Sequence, residues 1–378
     1  SLRLGLATVG NDLNPVAAII QKATYEFPLQ QGVRLIDEFK RLSDRFIQLA
    51  EPRFEGVFPR EPDDVRVVSY LWARTIRCPH CEGVVPLSPN WRLAPDGTGV
   101  RLMPNQGTGP GDRSRLVRFE IVTTAKDQSG GTVSGGDATC PFDDCHRLIA
   151  GEYIQSEAQA GRLGEQLYAV AFKRRLETRT KSGKRGKDKW ERGYRAPRPE
   201  DDVSEHVAEV LAEKKPEWEA LDILPTERVP EGHKTGSSRG EGTDLPLKRG
   251  ETHWIHMFSP RQLLGHGIAV VVFRELIREQ KAAGQWSDVT AASLVYLSFA
   301  LDKMLNYNSR MSVWMSTREV IANTFNRHDF AFAWSHAEMA PLKVGLGYEW
   351  VIEQTAKCIA ELVELDRHRL HRFLDEAL

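Results

Sequence analysis

Four cysteines stand in two short-spaced pairs, Cys78-Pro79-His80-Cys81 and Cys140-Pro141-Phe142-Asp143-Asp144-Cys145. Structural zinc takes soft ligands in a tetrahedron, two from each of two tight turns, and this spacing supplies them. Pro79 and Pro141, each directly after the first cysteine of its pair, constrain the backbone so that nearby N–H groups point back at sulfur. His80 or His146 is an alternative ligand, and reduced thiols packed in a core are the alternative to a metal. Four thiolates close the coordination shell, so the metal is read as structural rather than catalytic. The 58 residues between Cys81 and Cys140 imply a long ribbon with strands of its own. Cys358, the fifth cysteine, is expected in the core of a C-terminal helix.

Two further groups suggest ligand chemistry. Asp12 follows the short run Ala7-Thr8-Val9-Gly10 and precedes the helical stretch that Asn14 and Pro15 open. In nucleotide-binding α/β folds a carboxylate after a strand accepts hydrogen bonds from both ribose hydroxyls, although a turn aspartate before a helix is also a common cap. From Lys173 to Arg198, twelve basic residues stand against Glu177, Asp188 and Glu191, a local net charge of +9. Within that segment Lys181, Lys184, Arg185, Lys187, Lys189, Trp190, Arg192 and Tyr194 combine phosphate-seeking charge with rings able to stack on a base. The bland alternative is a solvated loop paired with the acidic helix after Glu200. His253 and His256 lack a cysteine nearby and read as packing or a pocket wall. Asn323, Trp334 and Glu338 fall in a polar, aromatic stretch of the kind that lines pockets.

The elements that position these residues follow from pattern. Helical periodicity runs over Val33–Ala50, from Pro260 through Ile277, from Ser287 to about Leu305, and from Gly347 to Leu378. Between Arg77 and Gly151 the chain is glycine-rich and hairpin-like, and residues 225–250 read as a loop or linker. With 378 residues, 41% hydrophobic and 27% charged, the chain is globular material for about two domains. The longest apolar run, Ala291–Leu301, contains two serines and is too short for a membrane span. A net charge of −1 leaves any nucleic-acid surface to local clustering, and the paired cysteines favour a reducing, cytoplasmic compartment.

Four blocks in order resemble the adenine-specific DNA methylases that contain a zinc ribbon. They are Gly5-Leu6-Ala7-Thr8-Val9-Gly10-Asn11-Asp12-Leu13-Asn14-Pro15-Val16-Ala17, then Tyr70-Leu71-Trp72-Ala73-Arg74-Thr75-Ile76-Arg77-Cys78-Pro79-His80-Cys81, then Phe258-Ser259-Pro260-Arg261-Gln262-Leu263-Leu264. The fourth runs from Tyr307-Asn308-Ser309-Arg310 through Ile321-Ala322-Asn323-Thr324-Phe325 to Trp334 and Glu338. The resemblance implies an S-adenosylmethionine-dependent enzyme methylating adenine N6 in double-stranded DNA, in a prokaryotic restriction-modification or phage-defence setting, with other subunits of such a system as partners and no membrane. It makes Asp12 the residue holding the cofactor ribose. It also implies an α/β fold, a partial Rossmann-like class I methyltransferase core with an inserted zinc-ribbon β module and a helical C-terminal part. The expected divisions are 1–60 for the partial core, 61–172 for the zinc-ribbon insert, 173–250 for the basic arm, acidic helix and linker, and 251–378 for the helical continuation. The family's glycine-rich cofactor loop, a pattern like Asp-Pro-Phe-x-Gly-Gly-Gly, and its Asp-Pro-Pro-Tyr motif do not occur here. The chain is therefore expected to be an internal fragment, inactive alone, and no catalytic residue is assigned. A non-catalytic zinc-ribbon nucleic-acid-binding subunit is the alternative, and an RNA-directed methyltransferase is a third reading.

Overall fold

The computed structural model describes residues 9–107, 109–179, 185–230, 244–326, 332–343 and 347–376. The chain forms two compact units, one from Ser1–Glu55, Ile268–Met304 and Pro341–Leu378, the other from Gly56–Gly267 and Leu305–Ala340. No described helix is long and apolar enough to cross a membrane.

The first unit is helical. Asn14 caps α1 (Pro15–Gln21), its Oδ1 accepting the Val16 N–H at 2.9 Å, with Pro15 in the first turn where a missing N–H costs nothing. After α2 (Phe27–Gln31) the chain turns through Gly32, whose φ of 54° suits glycine, into α3 (Val33–Ala50). Leu35, Phe39, Leu42, Phe46 and Ala50 recur at helical spacing along α3 and are all buried. Against them lies α9 (Gly347–Glu376), with Tyr348 edge-on to Phe46 at 5.5 Å. The later turns of α7 (Pro260–Ala282) meet α3 and the 3₁₀ turn after it through a polar seam, Arg45 to Glu279 at 2.9 Å and Arg53 to Glu275 at 2.5 Å. Thr290, on α8 (Asp288–Tyr307), donates to Glu38 on α3 at 2.7 Å. Cys358 is exposed on α9, contrary to its expected place in the core. The buried positions of that helix run through Val351, Ile359 and Val363, and Cys358 lies one residue off this stripe.

The second unit is built on a curled sheet whose spine is β1 (Val65–Arg77). The first half of β1 is an apolar run, Val65–Trp72, whose residues Val67–Leu71 are buried. Its far end pairs with β2 (Val84–Leu87). Two small sheets follow, one of β3 (Gly99–Pro104) with β4 (Val117–Val122), the other of β5 (Val133–Ser134), β6 (Asp137–Thr139) and β7 (Leu148–Ile149). After α4 (Gly151–Gln159), β8 (Gly164–Leu176) returns along β1, placing Arg66 opposite Lys173 and Arg74 opposite Glu165. Then β9 (Lys189–Arg195) extends the sheet beyond β8. The helix α5 (Ser204–Ala220) and the short α6 (Asp244–Lys248) come next, followed by the ribbon of β10 (Trp314–Met315) and β11 (Val320–Ile321). Finally β12 (Ser335–Glu338) pairs with Tyr70–Ala73, putting His336 opposite Trp72. Register shifts between Val67 and Ser69 and between Leu71 and Trp72 bend the sheet.

The fold is therefore mixed α/β with an antiparallel sheet. Every strand pairing among the described residues is antiparallel, so the parallel sheet of the expected Rossmann-like core is not seen among them. A parallel pair needs a crossover of a dozen or more residues, usually helical. Here the connection from β1 to β8 is the whole cysteine-bearing β module, and it returns the chain antiparallel. Of the strand expected at residues 7–10, Ala7 and Thr8 lie outside the described residues, and Val9 and Gly10 are not in a strand.

Candidate functional site

Cys78 closes β1, and Cys81 follows it before β2 begins, so the first pair sits in a knuckle where the Cys78 N–H donates to Gly83 at 2.9 Å and the Glu82 N–H returns to Cys78 at 3.0 Å. Cys140 follows β6 and Cys145 precedes β7, where the Cys140 N–H donates to Arg147 at 3.0 Å and closes a loop two residues longer. In both knuckles the residue after the second cysteine takes a left-handed backbone, Glu82 with φ 61° and His146 with φ 44°. The wider second spacing is thus absorbed inside its loop, and the two turns still meet.

The ligand atoms of all four cysteines lie within 4.8 Å of one another. Cys78 and Cys145 are 3.8 Å apart, sulfur to sulfur, and Cys81 and Cys140 are 3.7 Å apart. A disulfide needs about 2.05 Å, whereas a tetrahedral ion with bonds of about 2.3 Å holds its sulfurs about 3.8 Å apart. The four thiols therefore fit one metal ion such as zinc. Without metal, Cys78 is the acidic member at about 5, first through the hydrogen bond from Cys140 and then through backbone N–H groups of His80 and Cys81, with burial opposing. The same bond to Cys78 pushes Cys140 upward, with burial adding to it. His80 contacts the Leu148 carbonyl at 3.2 Å and His146 lies 3.6 Å from Asp143, so both are occupied outside the thiol cluster.

Apolar packing holds the knuckles together. Ile76, Val85, Leu87, Val117, Phe142, Ile149 and Ile154 form one buried cluster with three of the cysteines. A Cβ on Gly83 would lie 2.5 Å from the Phe142 ring, so only glycine lets the first knuckle accept that ring. Arg115, fully buried, also packs on this ring, its guanidinium 4.5 Å from the centroid, and clamps Asp144 of the second knuckle. This cation also offsets the excess negative charge of four thiolates around a divalent ion.

A second set of residues meets in the polar core of this unit. Arg261 grips Glu338 through Nε at 2.9 Å and Nη2 at 2.7 Å, and Trp72 donates to the same carboxylate at 2.8 Å. The Asn308 side chain takes Gln262 at 3.3 Å and bridges the Met339 backbone, while His266 bonds the Asn308 carbonyl at 2.8 Å. Nearby in the same network Arg310 donates to Glu165 at 2.7 Å and Arg74 pairs with Glu251. His336 is buried, with neither ring nitrogen hydrogen-bonded among the described residues and one of them 4.0 Å from Glu165. Burial above all lowers His336 to about 3, so the ring is neutral at physiological pH.

Burial alone would raise Glu165, but Arg310 overcomes it and holds the carboxyl at about 2. A carboxyl depressed in the fold contributes stability that is present above its unfolded pKa and is lost as pH falls through the folded one. The stability advantage of the wild type over Glu165→Gln should therefore be full above about pH 4.5 and shrink towards pH 2. Urea midpoints of the two proteins across pH 2.5–6 (range chosen from that shift) measure it, and a constant difference would refute it.

The basic segment forms the tail of β8 and the whole of β9. Lys181 and Lys184 lie outside the described residues. Arg185 is exposed with Glu177 at 3.7 Å and Asp188 at 3.6 Å, and Lys187 and Lys189 are exposed. Trp190 lies under the Arg66 guanidinium at 4.1 Å. Arg192 turns to Glu319, and Tyr194 donates to Glu319 at 2.7 Å, which ties both to the β10–β11 ribbon. Antiparallel register adds one residue absent from the sequence reading, Arg66, and sets Lys173, the first residue of the basic segment, directly opposite both Arg66 and Arg192. Burial lowers Lys173, and repulsion from Arg192 and Arg66 lowers it further. Three cations thus crowd together, with Glu319 offsetting Arg192. Arg195 and Arg198 are instead consumed by Asp201 and Glu61.

Asp12 is exposed and accepts the Asn14 N–H at 2.8 Å, one turn ahead of the capping bond. Asn323 is buried in part with its Oδ1 unpartnered among the described residues, and Trp334 packs against the cysteine cluster. His253 and His256 stack edge to face at 5.6 Å around a 3₁₀ turn and bond to Thr252. Compared with known protein families, curated proteins and solved structures, the chain matches none.

Proposed function

We propose that this chain is part of an S-adenosylmethionine-dependent DNA methyltransferase acting on adenine N6, with zinc as the structural ion of its cysteine site. The observation that carries the reading is convergence. Three of the four blocks that resemble the zinc-ribbon DNA methylases, far apart in sequence, supply Trp72, Arg261 with Gln262, and Asn308 with Glu338 to a single buried network. In this reading Asp12 receives the cofactor ribose, for which an exposed carboxylate at the head of a helix is fitted. S-adenosylmethionine supplies the methyl group; the residues described here orient and bind. The setting is a prokaryotic restriction-modification or defence system in the cytoplasm, with other subunits of that system as partners.

Labelled S-adenosylmethionine incubated with the full-length gene product and unmethylated duplex DNA should transfer label to adenine, and calorimetry should show cofactor binding weakened at least tenfold by Asp12→Ala. A full-length product that binds no cofactor would sink the reading. A second reading, a zinc-ribbon subunit that binds double-stranded DNA without catalysis, is favoured by the cationic row of Arg66 and Lys173. Under either reading Arg66→Ala and Lys173→Ala each lower the slope of log affinity against log salt by about 1. Fluorescence anisotropy between 50 and 200 mM salt, ordinary conditions for such slopes, measures it, and unchanged slopes would remove this face from the DNA contact.

A further inference from the structure

Residues directly opposite one another in an antiparallel sheet share a face, and so do residues two apart on one strand. By register Lys173 on β8 has Arg66 of β1 on one side and Arg192 of β9 on the other. Arg175, opposite Trp190, belongs to the same face. Neighbouring strands stand about 5 Å apart, so Arg66, Lys173 and Arg192 leave the backbone within about 10 Å of one another. Like charges set opposite each other destabilise a sheet. The next residue of β8 has the ordinary arrangement, Arg174 opposite Glu191 on the other face. A sheet that keeps a repulsive arrangement on one face only is departing from its local rule, and such departures concentrate at functional sites.

The charges on this face do not cancel. Arg192 lies 3.8 Å from Glu319, and Arg175 lies 3.9 Å from Asp188. Arg66 and Lys173 have no acidic partner among the described residues, and apart from burial the groups that act on Lys173 are the two arginines. The four cations less the two carboxylates leave +2. Arg66 is also restrained, its guanidinium 4.1 Å from the centre of the Trp190 ring, while its N–H groups have no acceptor among the described residues. An internal phosphodiester carries one negative charge, whereas a terminal phosphomonoester carries nearly two at neutral pH. A guanidinium fork and an ammonium on adjacent strands match the second in charge and in donors.

We propose that Arg66 and Lys173, backed by Arg192, bind a terminal phosphomonoester, carried by a free nucleotide or by the 5′ end of a nucleic acid. The site binds and positions this group, and no bond is made or broken there. It goes beyond the DNA readings above, which ask of this face only internal phosphodiesters. Calorimetry on the full-length protein tests it with thymidine 5′-phosphate and with the methyl ester of that phosphate. The nucleotide should bind, and the ester, which keeps the phosphate but loses one charge, should bind at least tenfold more weakly. A 5′-phosphorylated oligonucleotide that binds more tightly than thymidine 5′-phosphate assigns the site to a strand end, and equal affinity assigns it to a free nucleotide. Lys173→Met keeps the unbranched stem without its charge. It should weaken nucleotide binding at least tenfold and, by removing the repulsion, raise the urea midpoint at low salt. Arg174→Met makes the same change of charge on the other face and should leave nucleotide binding unchanged. Equal affinity for the nucleotide and its ester overturns the site, as does equal weakening by the two substitutions. A lowered midpoint in Lys173→Met makes the amine structural and overturns it as well. Oligonucleotides that bind alike with a 5′-phosphate or a 5′-hydroxyl overturn it and leave the DNA reading standing, whereas nucleotide binding by a protein that does not bind DNA keeps the site and removes this face from the DNA contact.

Discussion

Removing the metal should unfold the cysteine-bearing β module of the second unit and leave the helical first unit folded. Structural zinc contributes an apparent ~10–16 kcal/mol in small zinc peptides at neutral pH, more than the ~5–15 kcal/mol that holds a typical domain together. Here the loss is cushioned, because the cysteines lie in a cluster with Ile76, Val85, Leu87, Phe142 and Ile149 that would stay apolar without the ion. The cushion is incomplete. The two knuckles touch each other through Phe142 against Gly83 and through the sulfurs, and without the ion the four ligand atoms within 4.8 Å keep only weak thiol contacts to hold them. Chelation, or serine at Cys81 or Cys140, should therefore release the ion and collapse amide protection over residues 78–149, while Cys358→Ser, on an exposed site, changes neither. Metal analysis with hydrogen exchange reads both effects. Protection of that segment that survives complete metal removal would show that apolar packing alone holds the knuckles. Gly83→Ala tests the same contact sterically, since its Cβ would lie 2.5 Å from the Phe142 ring and one knuckle must shift.

What could be read in advance was what neighbours in sequence decide. Cysteine spacing, the Asn14-Pro15 start of a helix and the Pro260 start of another are local signals, and the structure has each of them. The helix Val33–Ala50 followed from period alone, as its buried stripe shows, whereas the short α2 was not read. Pairings between distant strands were not legible. Lys173 belonged to the basic run, but its partner Arg66 stood in a short apolar run, and only register sets them opposite one another. Glu165 and His336 gave no signal at all, one at the head of a strand and the other in a short edge strand, yet burial perturbs both strongly. Glu338 was a candidate pocket residue, and its part in gripping Arg261 comes from tertiary packing. The direction of the sheet was likewise hidden, because an apolar run such as Val65–Trp72 is compatible with parallel or antiparallel neighbours.

Breaking the Arg261–Glu338 pair should be the most damaging single change in the polar core. Both side chains are almost wholly buried, 6% and 1% exposed, and two parallel hydrogen bonds join them. The guanidinium lies 4.3 Å from the Tyr70 ring and 4.6 Å from Phe58, so the rings as well as the carboxylate support its charge. Burial works against that charge, yet Glu338 outweighs it and raises Arg261 above its ordinary range. Glu338→Leu strands the cation where the arginine cannot shed its proton, and it also removes the acceptor of the Trp72 indole. Loss of one partner from a buried pair costs about 3–5 kcal/mol, a large share of typical domain stability. Replacing both, Arg261→Met with Glu338→Leu, removes the desolvation cost together with the attraction, and the double variant should be more stable than Glu338→Leu alone. The two outcomes separate charge from shape. If the pair is mainly a buried electrostatic contact, the double-variant cycle in urea shows strong coupling; if Glu338→Leu and Arg261→Met simply add, the guanidinium is held by its rings and the carboxylate is incidental.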